Sequence, residues 1–140
     1  MEGCVMEILM TGCIHNDPRR DDGLRVSIMN RHTLSDGRTR DMTIVEGRNF
    51  HQHWPELGPP SKLIGAYYRG EVTWGEFAML YREHLFTNED AKWRIAQAIV
   101  CARRSLITLL CCEETPEFCH RRLLAEWIGE IVDDLTIVIN

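Results

Sequence analysis

Lysine is nearly missing from this chain. Of its 16 basic residues only Lys62 and Lys92 are lysines, and the rest are arginines. The planar guanidinium fork suits bidentate contacts to phosphate or carboxylate, although biased codon usage accounts for such an excess equally well. The overall balance is acidic, with a net charge of −5 and a pI near 5.7, which argues against a general nucleic-acid binder. No apolar run approaches the roughly 18 residues that a membrane-spanning helix needs. The opening MEGCVMEILM has no basic region of the secretory kind, so no secretory leader is expected. A cytoplasmic location is the expectation. The glycine-rich dinucleotide fingerprint, the P-loop and the His-Glu-x-x-His zinc motif are all missing. None of the six cysteines stands in a Cys-x2-Cys pair, the spacing of a zinc knuckle. In a reducing compartment such cysteines are free, catalytic or metal-binding rather than disulfide-bonded.

What is present fits a soluble globular protein, with 44% hydrophobic and 26% charged residues. A chain of 140 residues is long enough for one core, and one α/β domain over 1–140 is expected. Residues 5–11 (VMEILMT) and 24–30 (LRVSIMN) read as strands. Between and after them lie two polar stretches, CIHNDPRRDDG and RHTLSDGRTRD. The middle reads as helical. Pro59-Pro60-Ser61 opens one helix that Gly70 closes. Thr73 and Glu76 have capping-box spacing, ahead of a stripe of Phe77, Leu80, Tyr81, His84 and Leu85. Asn88 caps a third helix with Ala91, Ile95, Ala98, Ile99 and Ala102 on its apolar face.

The last third returns to strand and helix. Ser105–Cys112 is a short apolar run of the kind buried on both faces of a sheet. Thr115 is a good N-cap and Pro116 a good first helical residue. The helix is expected to run to about Gly129, with Leu123, Leu124, Trp127, Ile128 and Ile131 facing inward. LTIVI closes the chain as a strand. A strand, helix, strand succession predicts a right-handed crossover and parallel pairing of the last two strands. The expected fold is therefore α/β: a small, mostly parallel sheet flanked by helices in three layers.

Between that last helix and the strand before it, LLCCEETPEFCHRR gathers Cys111, Cys112, Glu113, Cys119, His120 and Arg121. Ligands of open α/β sheets bind beyond the carboxyl ends of the strands. A thiol near a helix N-terminus, His and Arg acquires thiolate character, and the same place suits an anion. Cys111, Cys119 and His120 are the expected catalytic residues, with one thiol as nucleophile and His120 as acid or base. Arg121 and Glu113 are expected at the substrate. Strand alternation puts Cys112 on the opposite face from Cys111, so Cys112 is expected to pack, as are Cys4, Cys13 and Cys101. His84 reads as a core histidine. The loop is not that of a tyrosine phosphatase, because the position six beyond Cys111 is Glu117 and six beyond Cys112 is Phe118.

Two other uses of the cluster stay open. Cys111, Cys119 and His120 offer three zinc ligands, with His32, Cys13 or His15 as a fourth, but adjacent helical residues diverge by about 100°. A redox pair would join Cys119 to Cys111 or Cys112. From the first half of the chain, Arg31, His32 and Asp36 are expected to reach the same rim as substrate-binding groups. Cys13 and His15 join them there if the first two strands run parallel rather than as a hairpin.

LLCCEETPEFCHRRLLAEWI resembles the signature of the domain of unknown function 488 family, in which a strand ending Leu-Leu-Cys-x-Glu precedes Cys-His-Arg at a helix start. WPELGPPSKLIGAYYRGEVTWGEFAMLYREHL is similar to that family's middle section, and RHTLSDGRTRD to a loop of one branch. The resemblance covers about residues 24–128. It implies Cys111, Glu113, Cys119, His120 and Arg121 as motif residues, and His32 and Asp36 more weakly. It supports the α/β fold and implies no particular reaction and no particular cofactor. The expected function is a small-molecule site for an anionic or nucleotide-like ligand. A non-catalytic module holding zinc or sensing redox state is the alternative.

Overall fold

Short apolar runs build a five-stranded sheet in which every neighbouring pair is parallel. The computed structural model describes residues 7–140; Cys4 and the first two residues of the strand expected over 5–11 lie outside that range. The strands are β1 (Ile8–Cys13), β2 (Leu24–Ser27), β3 (Gln52–His53), β4 (Ile107–Cys111) and β5 (Thr136–Val138), in the order β3-β2-β4-β1-β5. The helices are α1 (Ser61–Tyr68), α2 (Trp74–Thr87), α3 (Glu89–Arg104) and α4 (His120–Ile131). This is the small three-layer α/β arrangement expected from the sequence.

β4 takes the centre and is buried along its whole length, as a strand flanked on both edges and both faces must be. Registers of Thr11 with Leu109, Cys13 with Cys111 and Val26 with Leu109 align the strand ends on one rim. One face of the sheet, carrying Leu9, Val26, Ile107 and Leu109, meets Phe77, Tyr81, Ile95, Ala98, Leu124 and Ile128 from α2, α3 and α4 in the main core. The other face carries Arg25, Ser27 and Thr108, all buried. Loops cover it, together with a 3-10 turn at Arg20–Asp22. Arg25 donates there to the Asn49 and Asn16 carbonyls and to Asp22, and Thr108 donates to the Asp22 carbonyl. Buried polar strand residues are satisfied by loop backbone.

Local signals place the middle helices well. Thr73 Oγ1 accepts from the Glu76 N–H at 3.1 Å and Glu76 accepts from the Thr73 N–H at 2.9 Å, completing the capping box of α2. Asn88 accepts from the Ala91 N–H at 2.9 Å and caps α3. Leu80 and Ile131, expected to face inward, are exposed instead.

Two expectations are corrected and one open point is decided. The last two strands do not pair: β1 lies between them, and β5 hydrogen-bonds to β1. Arg103 ties this edge, with Glu7 at 2.9 Å and Asp134 at 2.7 Å. β1 and β2 form no hairpin; both run parallel to β4 on either side of it, and the connection between them holds only the 3-10 turn. Finally, α4 starts at His120 rather than near Thr115, and its N-cap is Cys119. Two guanidinium groups hold the preceding segment as a loop, Arg121 donating to the Glu113 carbonyl and Arg122 to that of Glu117. The Glu117 carbonyl is one that a helix beginning at Pro116 would have drawn into its own ladder.

Candidate functional site

β4 ends at Cys111, and α4 begins with Cys119, His120 and Arg121 as cap and first two residues. Because the intervening loop doubles back, one ligating atom each of Cys111, Cys119 and His120 lies within 4.8 Å of the others. Both thiols are buried, Cys111 to 3% exposure and Cys119 to 2%. His120 Nε2 donates to the Ile28 carbonyl at 2.8 Å. In the neutral ring that leaves Nδ1 as an acceptor, and Cys111 Sγ stands 3.5 Å from it. Tyr81 packs edge-on to the imidazole, with centroids 5.5 Å apart.

The charges divide unequally within the cluster. Hydrogen bonding from Cys111, aided by the His120 and Arg121 charges, pulls the Cys119 thiol down to about 5. Cys111 moves the other way, pushed well above its ordinary range by its bonds to Cys112 and Cys119 and by burial. These surroundings favour the proton on Cys111 and the thiolate on Cys119.

Arg121 lies deeper than its place in the sequence suggests. It is 0% exposed. Its Nε donates to the Asn140 carbonyl at 3.0 Å, and its Nη1 donates to the Glu113 carbonyl at 2.7 Å and to Cys119 Sγ at 3.3 Å. Among the described residues its buried Nη2 has no partner. The signal for this burial was present: Arg121, Ala125 and Ile128 are spaced i, i+4, i+7, and all are buried.

Cys112, expected on the opposite face, belongs to the cluster. It is half-buried beside Cys111 and Cys119, and its thiol is lowered chiefly by a hydrogen bond from Cys111. β4 has ended, so the alternation that would have turned it away no longer applies. At this outer edge Tyr68 on α1 donates to Glu113 Oε1 at 3.3 Å. Burial and the Glu113 carboxylate raise the Tyr68 phenol. Cys13 is buried next to the cluster and its Sγ lies 3.7 Å from the Cys112 carbonyl, whereas His15 is exposed.

The groups expected from the first half do not join the thiols. His32 bonds to Ser27 Oγ at 2.7 Å and packs against Phe50 and His53, with centroids 4.7 and 4.2 Å away. It lines a separate open pocket of about 360 Å³ with Arg38, Arg40 and His53. Burial, then the neighbouring His53 and Arg40, lower His32 to about 4. His53, which no sequence pattern singles out, is set by β3, a strand of two residues. Asp36 is exposed and turned to its own loop, bonding Thr39 Oγ1 and the Arg38 and Thr39 N–H groups. Those bonds bring it down to about 2. Arg31 is exposed. A further cavity of about 500 Å³ on the outer side of the 113–118 loop is lined by Trp74, Phe118 and Arg122.

Among the described residues, no helix is long and apolar enough to cross a membrane. The profile of a family described as "DUF488-N3a: Active DUF488-N3 subclade" matches residues 9–131. Comparison with curated proteins and with solved structures gives no match. The chain belongs to the DUF488-N3a family.

Proposed function

We propose that the strand–helix joint of this DUF488-N3a protein is a thiol-dependent reaction site for a small anionic ligand. One observation carries the reading: Cys119 occupies the N-cap position of α4 with Arg121 Nη1 donating to its Sγ at 3.3 Å, and its surroundings lower the thiol to about 5. Such a group is a ready nucleophile at neutral pH. His120, oriented by its bond to the Ile28 carbonyl, exchanges the Cys111 proton. Arg121 Nη2 is a buried donor without a partner among the described residues, and an oxyanion is the partner it lacks. The family's description as an active subclade agrees with a chemical role. Cys119 is closed to solvent, so the reading requires the 113–118 loop to move aside, with half-buried Cys112 and Glu113 at the entrance. A cytoplasmic setting would keep these thiols reduced.

Alkylation with two reagents tests both halves of the reading. Anionic iodoacetate should modify the cluster faster than neutral iodoacetamide, against their intrinsic order, and inorganic phosphate should slow it. If Cys13, Cys101, Cys111, Cys112 and Cys119 all react equally slowly at neutral pH, thiol chemistry is ruled out.

A second reading is favoured by the 4.8 Å grouping of Cys111, Cys119 and His120. The His120 bond to a backbone carbonyl is the outer support that metal-ligating histidines use. On this reading the three residues hold zinc. Stoichiometric zinc after purification without chelators would favour it, and metal-free protein under those conditions would remove it.

A further inference from the structure

The open pocket beside β3 has the marks of an anion site in its own right. Its wall is a stiff hairpin. Thr33 bridges Arg40, the Leu34 N–H donates to the Thr39 carbonyl at 2.8 Å, and the Asp41 N–H donates to the His32 carbonyl at 2.9 Å. Asp36 locks the tip through the Arg38 and Thr39 N–H groups. Arg38 and Arg40 both line the pocket. Among the described residues neither guanidinium has an ion-pair partner.

The floor is equally fixed. The Met29 N–H donates to Ser27 Oγ at 3.4 Å, so the Ser27 hydroxyl proton is free to go to His32 Nε2, 2.7 Å away. With that hydroxyl donating, His32 carries its own proton on Nδ1, which has no hydrogen-bond partner among the described residues. His53 Nε2 donates to the Met29 carbonyl at 2.6 Å. Phe50 closes the back as a buried apolar surface. Glu46 is the only carboxylate in the lining; Asp41 stands nearby with its carboxylate bonded to Thr43. His32 is kept neutral chiefly by burial and then by His53 and Arg40, against an opposing Asp41, in a pocket whose lining sets two guanidinium groups against one carboxylate.

We infer that the pocket formed by Arg38, Arg40, His32 and His53 binds the phosphoryl group of a small phosphorylated molecule. Two forked donors suit the three oxygens of a phosphoryl group, and the His32 N–H adds a third direction. The volume of about 360 Å³ leaves room for a short attached moiety over Phe50. The inference is independent of the thiol reading. The Ile28–Met29 segment, whose carbonyls are held by His120 and His53 respectively, separates the two sites.

Titrating inorganic phosphate into the full chain at constant ionic strength, with the ring protons of His32 and His53 followed by NMR, tests it. Both rings should shift along one saturable curve. R38Q/R40Q should weaken the affinity at least about tenfold, the scale of one charge-assisted contact. Both positions are exposed, and an unchanged melting curve verifies the fold. C119S should leave the curve unchanged. No saturable shift, or an undiminished shift in R38Q/R40Q, overturns the pocket. A response abolished by C119S and kept by R38Q/R40Q also overturns it, and moves the anion to the strand–helix joint. Failure here leaves the alkylation result of the thiol site standing.

Discussion

Two sites share one rim of this sheet and solve opposite problems. The thiol cluster at the end of β4 has reactive groups but no opening, with Cys111 and Cys119 both buried. The histidine–arginine pocket beside β3 is open, yet among the described residues its hydroxyls are Thr33 and, buried behind His32, Ser27, and it holds no thiol. The difference arises from where each lies in the sheet. Central β4 is covered on both faces, so whatever ends it becomes core. Edge strand β3 is two residues long, so the segment between β2 and β3 stays at the surface over most of its length. Chemistry built into the centre is coupled to stability, while recognition built at the edge can change at little cost to the fold.

Substitutions of decreasing effect can break or sharpen this contrast. The largest belongs to Arg121, whose removal strips the Glu113 carbonyl of its donor and leaves the Asn140 carbonyl with Thr11 alone. R121M should cost about 3 kcal/mol and lower the melting midpoint by roughly 10 °C. A neutral outcome by calorimetry would mean that the centre is not coupled to the fold. Next comes H120A, which frees the Ile28 carbonyl and should cost about 2 kcal/mol in denaturant titration. It should also raise the pH at which Cys119 becomes reactive, because the imidazole is one of the groups lowering that thiol. In the unaltered protein, the rate of Cys119 alkylation should be level from pH 8 to about 5 and fall below that. A tenfold loss per pH unit from pH 8 downward would deny the thiolate.

The edge site gives smaller signals. His32 holds its proton only below about 4 in the folded chain, against 6.5 ordinarily. Between those values the unfolded chain binds a proton that the folded one refuses. The stability present above pH 6.5 therefore drains as pH falls toward 4 and levels off beneath it. H32N should flatten that part of the curve, and an unchanged slope would contradict the assignment. Smallest of all, R40Q should move stability by no more than about 0.5 kcal/mol. A larger loss would make the arginine structural and erase the distinction between centre and edge.

Local pieces were more legible in the sequence than their arrangement. Capping at Thr73 and Asn88 is decided by neighbouring residues, so it could be read directly. The burial of β4 showed in its composition. Strand order was not legible, because the insertion of β1 between β4 and β5 depends on pairing across most of the chain. The good capping chemistry of Thr115-Pro116 misplaced the start of α4, since Arg122 further on claims the Glu117 carbonyl of that segment. At the thiol cluster, Cys111, Cys119, His120 and Arg121 do come together. Cys112 was set aside by a rule that lapses where the strand stops. His32 was placed at the correct rim but on the far side of Ile28–Met29, a separation that spacing along the chain does not encode.

Two consecutive peptide units, at Ile28 and Met29, each lend their carbonyl to a different histidine. The two planar amides meet at the α-carbon of Met29, so only the φ and ψ of that residue stand between the two histidine contacts. A change in the Met29 φ or ψ would therefore move the two histidine contacts relative to each other. If an occupant of the edge pocket changes zinc or anion affinity at the joint by some factor, occupancy of the joint must change the pocket's affinity by the same factor. The chain would then carry a two-way lever whose fulcrum is ordinary backbone.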